Sequence, residues 1–269
     1  MIKKTLQNIL WKFNYDISKI FSIENNFKDL IYRLHPIKLK NCELIRVGNP
    51  LGDGGYLIPD LLTNIKYAFS LGVGPDSTFE NDLASHNIKC FMADFSVNGP
   101  NINNKNFNFT KKFIKSYNSP SSRRFNDWKN ECIGEDYSSG IILQVDIEGD
   151  EYSVIPTIDN NTLLQTEIMI VEFHHLTRIL NHDYQKYIIN CFERILEYFE
   201  PVHLHVNNSS SVLSKNNIGI PHLLEATFVN KKLITDKKYE YVKIFPNKLD
   251  QPNIPSNEDV KLPDNWYRI

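Results

Sequence analysis

Short apolar runs that stop abruptly at glycine, histidine or a carboxylate constrain this chain more than any other feature. From residue 41 they recur at Leu44–Val47, Lys66–Leu71, Ile88–Ala93, Ile141–Val145, Glu167–Phe173, Val202–Val206 and Ala226–Val229. Each reads as a buried strand. Stretches with helical spacing fit between several of them, at Ser77–Ser85, Tyr152–Ile158 and, most clearly, Tyr184–Phe199. Strands alternating with helices predict an α/β fold, a mainly parallel sheet with helices on both faces.

The first forty residues follow a different rule. Ile9, Phe13, Ile17, Ile20 and Phe21, then Phe27, Leu30, Ile31 and Leu34, recur at helical spacing. His35-Pro36 closes the stretch, because a residue before proline avoids the helical region. This predicts an N-terminal helical arm over 1–40 ahead of one domain over 41–269. The arm packs on that domain or on a second subunit, making a homo-oligomer. The Asn-rich segment Asn98–Asn108 and the polar segment Ser116–Gly140, which contains Arg123 and Arg124, predict surface loops. The second would border a substrate site, and its arginines suit a phosphorylated ligand. The tail after Leu249, with Pro252, Pro255 and Pro263, predicts an extended strap.

Composition narrows the function. Hydrophobic residues at 41% and charged residues at 23% of 269 allow a sizeable core and argue against wholesale disorder. With 30 Lys+Arg against 32 Asp+Glu, the chain lacks the basic excess of a dedicated nucleic-acid binder. No run of about 18 apolar residues predicts a transmembrane segment, and the N-terminus makes a poor signal peptide. Cys42, Cys90, Cys132 and Cys191 form no C-x-x-C pair. These features together predict a reduced, cytoplasmic chain.

The first strand–helix unit carries the strongest ligand signal. Lys66–Leu71 runs into Gly72-x-Gly74 and then a helix. Glycines there permit a tight turn and close approach to a ligand, and a helix start offers unpaired N–H groups. The next apolar run ends in Asp94, 20 residues after Gly74, where a carboxylate can accept the ribose hydroxyls of an adenosine. Ser77 stands where the dinucleotide fingerprint has its third glycine. That favours an adenosine cofactor without a diphosphate, such as S-adenosylmethionine (SAM), over NAD.

Three later strands end in polar residues two apart, hence on one face. They are Asp146 with Glu148, Glu172 with His174, and His203 with His205. Ligands of open α/β sheets bind at the carboxyl ends of strands, so neighbouring strands would bring these groups beside Gly72 and Asp94. Such a cluster suits general-base catalysis or a divalent metal held by carboxylate and imidazole. We expect His174 as the base, with Asp146 or His205 as the next candidates. A metal, where one is used, would take Asp146, Glu172 and His205.

Read together, these residues resemble the FkbM-type and related SAM-dependent methyltransferases. The resemblance rests on Asp53-Gly-Gly-Tyr56, on Phe69–Gly74 with Ser77-Thr-Phe-Glu80, on Leu143-Gln-Val-Asp-Ile-Glu-Gly149 with Glu151, and on Ile170-Val-Glu-Phe-His174. The stretch through Asp146 and Glu151 is the most specific, and the matches run from Arg46 to His205. The resemblance implies a Rossmann-like class I methyltransferase fold with a seven-stranded sheet whose last strand is antiparallel. It implies methyl transfer to a sugar or glycan hydroxyl. It also implies that Asp53, Tyr56, Gly72, Gly74, Asp94 and Asp146 meet SAM. Ser70 replaces the acidic residue common before the first glycine in that family, so the methionine amino group would meet Asp53 or Asp146 instead. Asp53-Gly-Gly-Tyr56 also reads as a plain hairpin turn. Rival readings are a metal-dependent hydrolase, a non-catalytic SAM-binding module and an NAD-dependent oxidoreductase.

Overall fold

The computed structural model describes residues 25–134, 140–234 and 240–268. In chain order its main elements are α1 (Asn25–Arg33), β1 (Tyr67–Leu71), α2 (Thr78–Ser85), β2 (Lys89–Ala93), β3 (Phe107–Thr110), α3 (Phe125–Ile133), β4 (Ile141–Val145), α4 (Glu151–Val154), α5 (Asn160–Gln165), β5 (Thr166–Phe173), α6 (His182–Tyr198), β6 (Phe199–Val206) and β7 (Leu224–Asn230). The seven strands form one sheet in the order β6-β7-β5-β4-β1-β2-β3. Neighbours are parallel except at β7, which runs antiparallel to both β5 and β6. The result is a mixed α/β fold compatible with a Rossmann-like arrangement.

Strand side chains alternate between two cores, as a sheet covered on both faces requires. Phe69, Leu143, Met169 and Val171 point into the larger core with residues of α1, α3, α4 and α6. Ala68, Ile142, Ile168 and Ile170 point the other way, against α2 and an antiparallel hairpin of Leu44–Gly48 with Gly55–Pro59. Helix α6 shows why its sequence folds as it does. Ile188, Cys191, Phe192, Ile195 and Leu196 make one buried stripe, and the Asn181 side chain caps the start by accepting from the Asp183 N–H at 2.9 Å.

Three expectations change. Leu44–Gly48 is a strand, but it pairs in the hairpin rather than in the central sheet. The seventh place goes to Phe107–Thr110, whose Asn-rich approach reads as loop; an edge strand with one free side tolerates such polarity. The polar segment after Ser116 contains α3, which buries Phe125 and Trp128 one turn apart. Of the N-terminal arm, α1 packs Phe27, Leu30, Ile31 and Leu34 into the main core, while Ile9, Phe13, Ile17, Ile20 and Phe21 lie outside the described residues. The tail is extended apart from short turns at Ile254–Asn257 and Asp264–Trp266, and is pinned by Asn208, which accepts from the Ile254 N–H at 2.8 Å. Among the described residues no helix is long and apolar enough to cross a membrane.

Candidate functional site

The ends of β1, β2 and β4 are knotted together by backbone hydrogen bonds. The Gly72 N–H donates to Ala93 O at 3.0 Å, and the Asp146 N–H donates to Leu71 O at 2.9 Å. Gly72 has φ +79°, and a Cβ there would stand 1.8 Å from Asp146 O. Only glycine lets these chains pass so closely. At Gly74, with φ +61°, a Cβ would meet nothing within 4 Å, because this residue borders open space.

Asp94 holds the turn from the side. Its Oδ2 accepts from the Val73 and Gly74 N–H groups, each at 3.1 Å. Its Oδ1 accepts from the Ser96 N–H and hydroxyl, each at 2.7 Å. Burial alone would raise this carboxyl, but the bonds from Ser96, Gly74 and Val73 outweigh burial and hold it below its ordinary value. The carboxylate thus fixes the glycine turn, a role its spacing in the sequence did not disclose.

The Asp53–Gly55 turn is a hairpin turn and a cavity wall at once. It carries Tyr56, whose ring meets Phe79 edge-on at 5.1 Å and whose hydroxyl accepts from Gln144 Nε2 at 3.4 Å. Gln144 Oε1 is buried and has no hydrogen-bond partner among the described residues.

Between these elements lies a cavity of about 770 Å³, within the ~300–1,000 Å³ typical of small-molecule sites. Asp53, Tyr56, Gly72, Gly74, Asp94 and Asp146 all line it. The structure therefore gathers every residue expected to meet a cofactor. Arg123 and Arg124 do not line it, and Arg123 pairs with Glu131. The cation at the wall is Lys115, paired with Asp150.

His174, 7% exposed, stands behind two residues of the cavity wall, Asp146 and Glu148. Its Nδ1 lies 3.0 Å from Glu151 Oε1, and its Nε2 lies 3.4 Å from Glu148 and 3.8 Å from Asp146. Burial would lower the imidazole, but Glu151, Asp146 and Glu148 raise it to about 9. Burial raises Asp146 to about 7, an effect that His174 partly offsets. Glu151, fully buried on α4, also accepts from the Ile147 and Gly149 N–H groups at 3.2 and 3.1 Å. It orients the histidine and folds the loop after β4.

Glu172 and His205 gather around Glu225 instead, and His203 pairs with Asp250, 2.9 Å from its Nε2. Glu225 on β7 is the register partner of both Glu172 and His205, and His205 Nδ1 lies 3.1 Å from Glu225 Oε2. Like charges facing each other are unfavourable. Burial, with Asp146 and Glu225 nearby, pushes Glu172 well above its ordinary value. Burial would lower His205, but Asp259 and Glu225 raise it to about 10. Asn253 of the tail bridges Asp53 and Glu225. Asp146, Glu172 and His205 therefore do not form one ligand set. Among the described residues, the groupings whose ligand atoms lie within 4.8 Å of one another are Asp146 with Glu148 and His174, and Asp53 with Glu172 and Glu225. The reason is strand order, since β7 enters between β5 and β6 and carries His205 away from β4.

Glu151, Gln144 and Glu80 were not singled out individually as site residues from sequence. Glu80 lines the cavity from α2 and is raised to about 7 by burial. The signal for it was its place three residues after Ser77 in the first helical turn. No family model matches the chain, and no curated protein gives a significant match.

Proposed function

We propose that this chain is a SAM-dependent O-methyltransferase of Rossmann-like class I architecture, acting on a hydroxyl of a sugar or glycan precursor. The observation that carries this reading is the convergence of Asp53, Tyr56, Gly72, Gly74, Asp94 and Asp146 on one cavity at the carboxyl ends of β1, β2 and β4. The antiparallel seventh strand supports it as well, as does the resemblance of the β4 stretch.

The cavity's chemistry fits the cofactor. Gly74 borders open space, Gln144 Oε1 is a buried acceptor without a partner among the described residues, and the acidic groups at 53 and 146 complement a cation. The Gly72–Gly74 turn, fixed by Asp94, would hold the adenosyl part, and Asp53 and Asp146 the methionine end. Bound there, SAM supplies an electrophilic methyl group on a sulfonium centre. The protein's own task is to place the acceptor oxygen and remove its proton. Neutral His174 takes that proton at Nε2, with Glu151 as its anchor; because Glu151, Asp146 and Glu148 raise the imidazole to about 9, the competent form grows as pH rises toward that value.

Thermal-shift measurements with SAM, S-adenosylhomocysteine and NAD test the reading, followed by transfer of labelled methyl to a glycan fraction. Stabilisation by SAM and its product is expected, and stabilisation by NAD alone overturns it. SAM binding without transfer to any acceptor indicates a non-catalytic module.

A second reading, a metal-dependent hydrolase, draws on the grouping of Asp146, Glu148 and His174. A carboxylate behind a histidine, as Glu151 stands here, is a common support for a metal ligand. Hydrolysis lost to a chelator in the absence of SAM favours that alternative.

A further inference from the structure

Beside the main cavity lies a smaller one of about 190 Å³, walled by Tyr152, His175, Arg178, Tyr184 and Tyr187. Asp150 lines both. At this volume it falls below the ~300–1,000 Å³ of complete small-molecule sites, so it suits one ring of a larger ligand. Tyr184 and Tyr187 are 46% and 64% exposed, a high exposure for aromatic rings beside a candidate active site.

Three features define its chemistry. The tyrosine rings offer flat apolar faces with polar tips. The Arg178 guanidinium lies 5.0 Å from the Tyr184 ring centroid and forms no ion pair among the described residues, so its planar donors remain open to an anion. His175 is oriented by a chain of two contacts: its Nδ1 lies 3.1 Å from His222 Nε2, and His222 Nδ1 lies 2.8 Å from Thr177 Oγ1. The Cδ2–Nε2 edge of His175 then lies over Gly149. His175 Nε2, on the far side of the ring from His222, is able to hydrogen bond a hydroxyl.

We propose that this pocket is the acceptor subsite, holding one pyranose ring against Tyr184 and Tyr187, with an anionic substituent on Arg178 and a hydroxyl on His175. The placement beside His174 rests on the methyltransferase reading. Sugar binding itself does not.

The test uses the full chain with three probes: methyl glucuronoside, glucose 6-phosphate and methyl glucoside. Binding is followed by saturation-transfer NMR and by the ring resonances of isotope-labelled histidines. At least one anionic sugar should bind in preference to methyl glucoside and shift the His175 and His222 signals. Whichever binds identifies the anion as carboxylate or phosphate. Arg178→Ala should reduce that preference about tenfold, and Tyr187→Ala should weaken all binding. Arg178→Gln repeats the test with less change in shape. Equal binding of charged and neutral sugars, unshifted histidines, or no binding at all overturns the subsite. SAM stabilisation is measured on the same samples. Its absence alongside sugar binding overturns only the methyltransferase reading, and its presence without sugar binding overturns only the subsite.

Discussion

His174 Nδ1 lies 3.0 Å from Oε1 of Glu151, a carboxylate with no solvent exposure. This contact fixes the ring so that Nε2 faces Asp146 and Glu148, and it helps to hold the imidazole proton to about 9. Replacing His174 with alanine should lower methyl transfer by about 10²–10⁴-fold and leave SAM affinity nearly unchanged. Calorimetric SAM binding beside a single-turnover assay checks this, and wild-type turnover would remove His174 from the role of base.

Glu151→Gln keeps an acceptor for the loop N–H groups but removes the charge behind His174. The histidine then loses its proton at lower pH. Where neutral His174 is the base, rate rises with pH toward about 9 in the wild type, and that limb should move to lower pH in the variant. A limb left in place by the variant would assign it to another group.

Gly72 and Gly74 separate packing from ligand contact. Gly72→Ala places a Cβ 1.8 Å from Asp146 O and should cost more than about 3 kcal/mol of stability. Gly74→Ala meets no atom and should cost only about 1 kcal/mol for its left-handed backbone, while weakening SAM. Denaturant melts of both variants give the comparison, and equal costs would contradict it.

Asp94→Ala leaves the Val73 and Gly74 N–H groups without their acceptor. The expected loss is roughly 2–3 kcal/mol of stability together with about tenfold or more in SAM affinity. Asp94→Asn, which keeps one acceptor oxygen, should fall between. Unchanged SAM affinity in the alanine variant would show that the turn holds its shape without Asp94.

Glu80 makes a prediction about pH. Burial raises its carboxyl from 4.5 to about 7, so the folded state prefers the protonated form. Below 4.5 there is no penalty. As pH rises toward 7 the unfolded chain ionises first and stability declines, by about 3 kcal/mol at about 1.4 kcal/mol per unit. Glu80→Gln, neutral throughout, should match the wild type near pH 4 and exceed it at pH 8. A variant melting below the wild type at pH 8 would refute this.

The alternation of apolar runs and amphipathic stretches was enough, by itself, to establish the α/β class, because burial imposes a period of two on strands and a wider stripe on helices. Glycines before a helix and carboxylates at strand ends also marked Gly72, Gly74, Asp94 and Asp146 as candidates, while Asp53 and Tyr56 joined them only through the family resemblance. The pattern could not supply strand order. Only the tertiary structure put β7 between β5 and β6, which divides the polar strand ends and sends His205 and Glu172 to Glu225 while His174 stays with Asp146. Only the tertiary structure, likewise, gave Asp94 its hold on the glycine turn and Glu151 its place behind His174. Those contacts join residues about 20 apart in sequence, and their direction depends on how each strand is packed, which residue spacing alone does not encode.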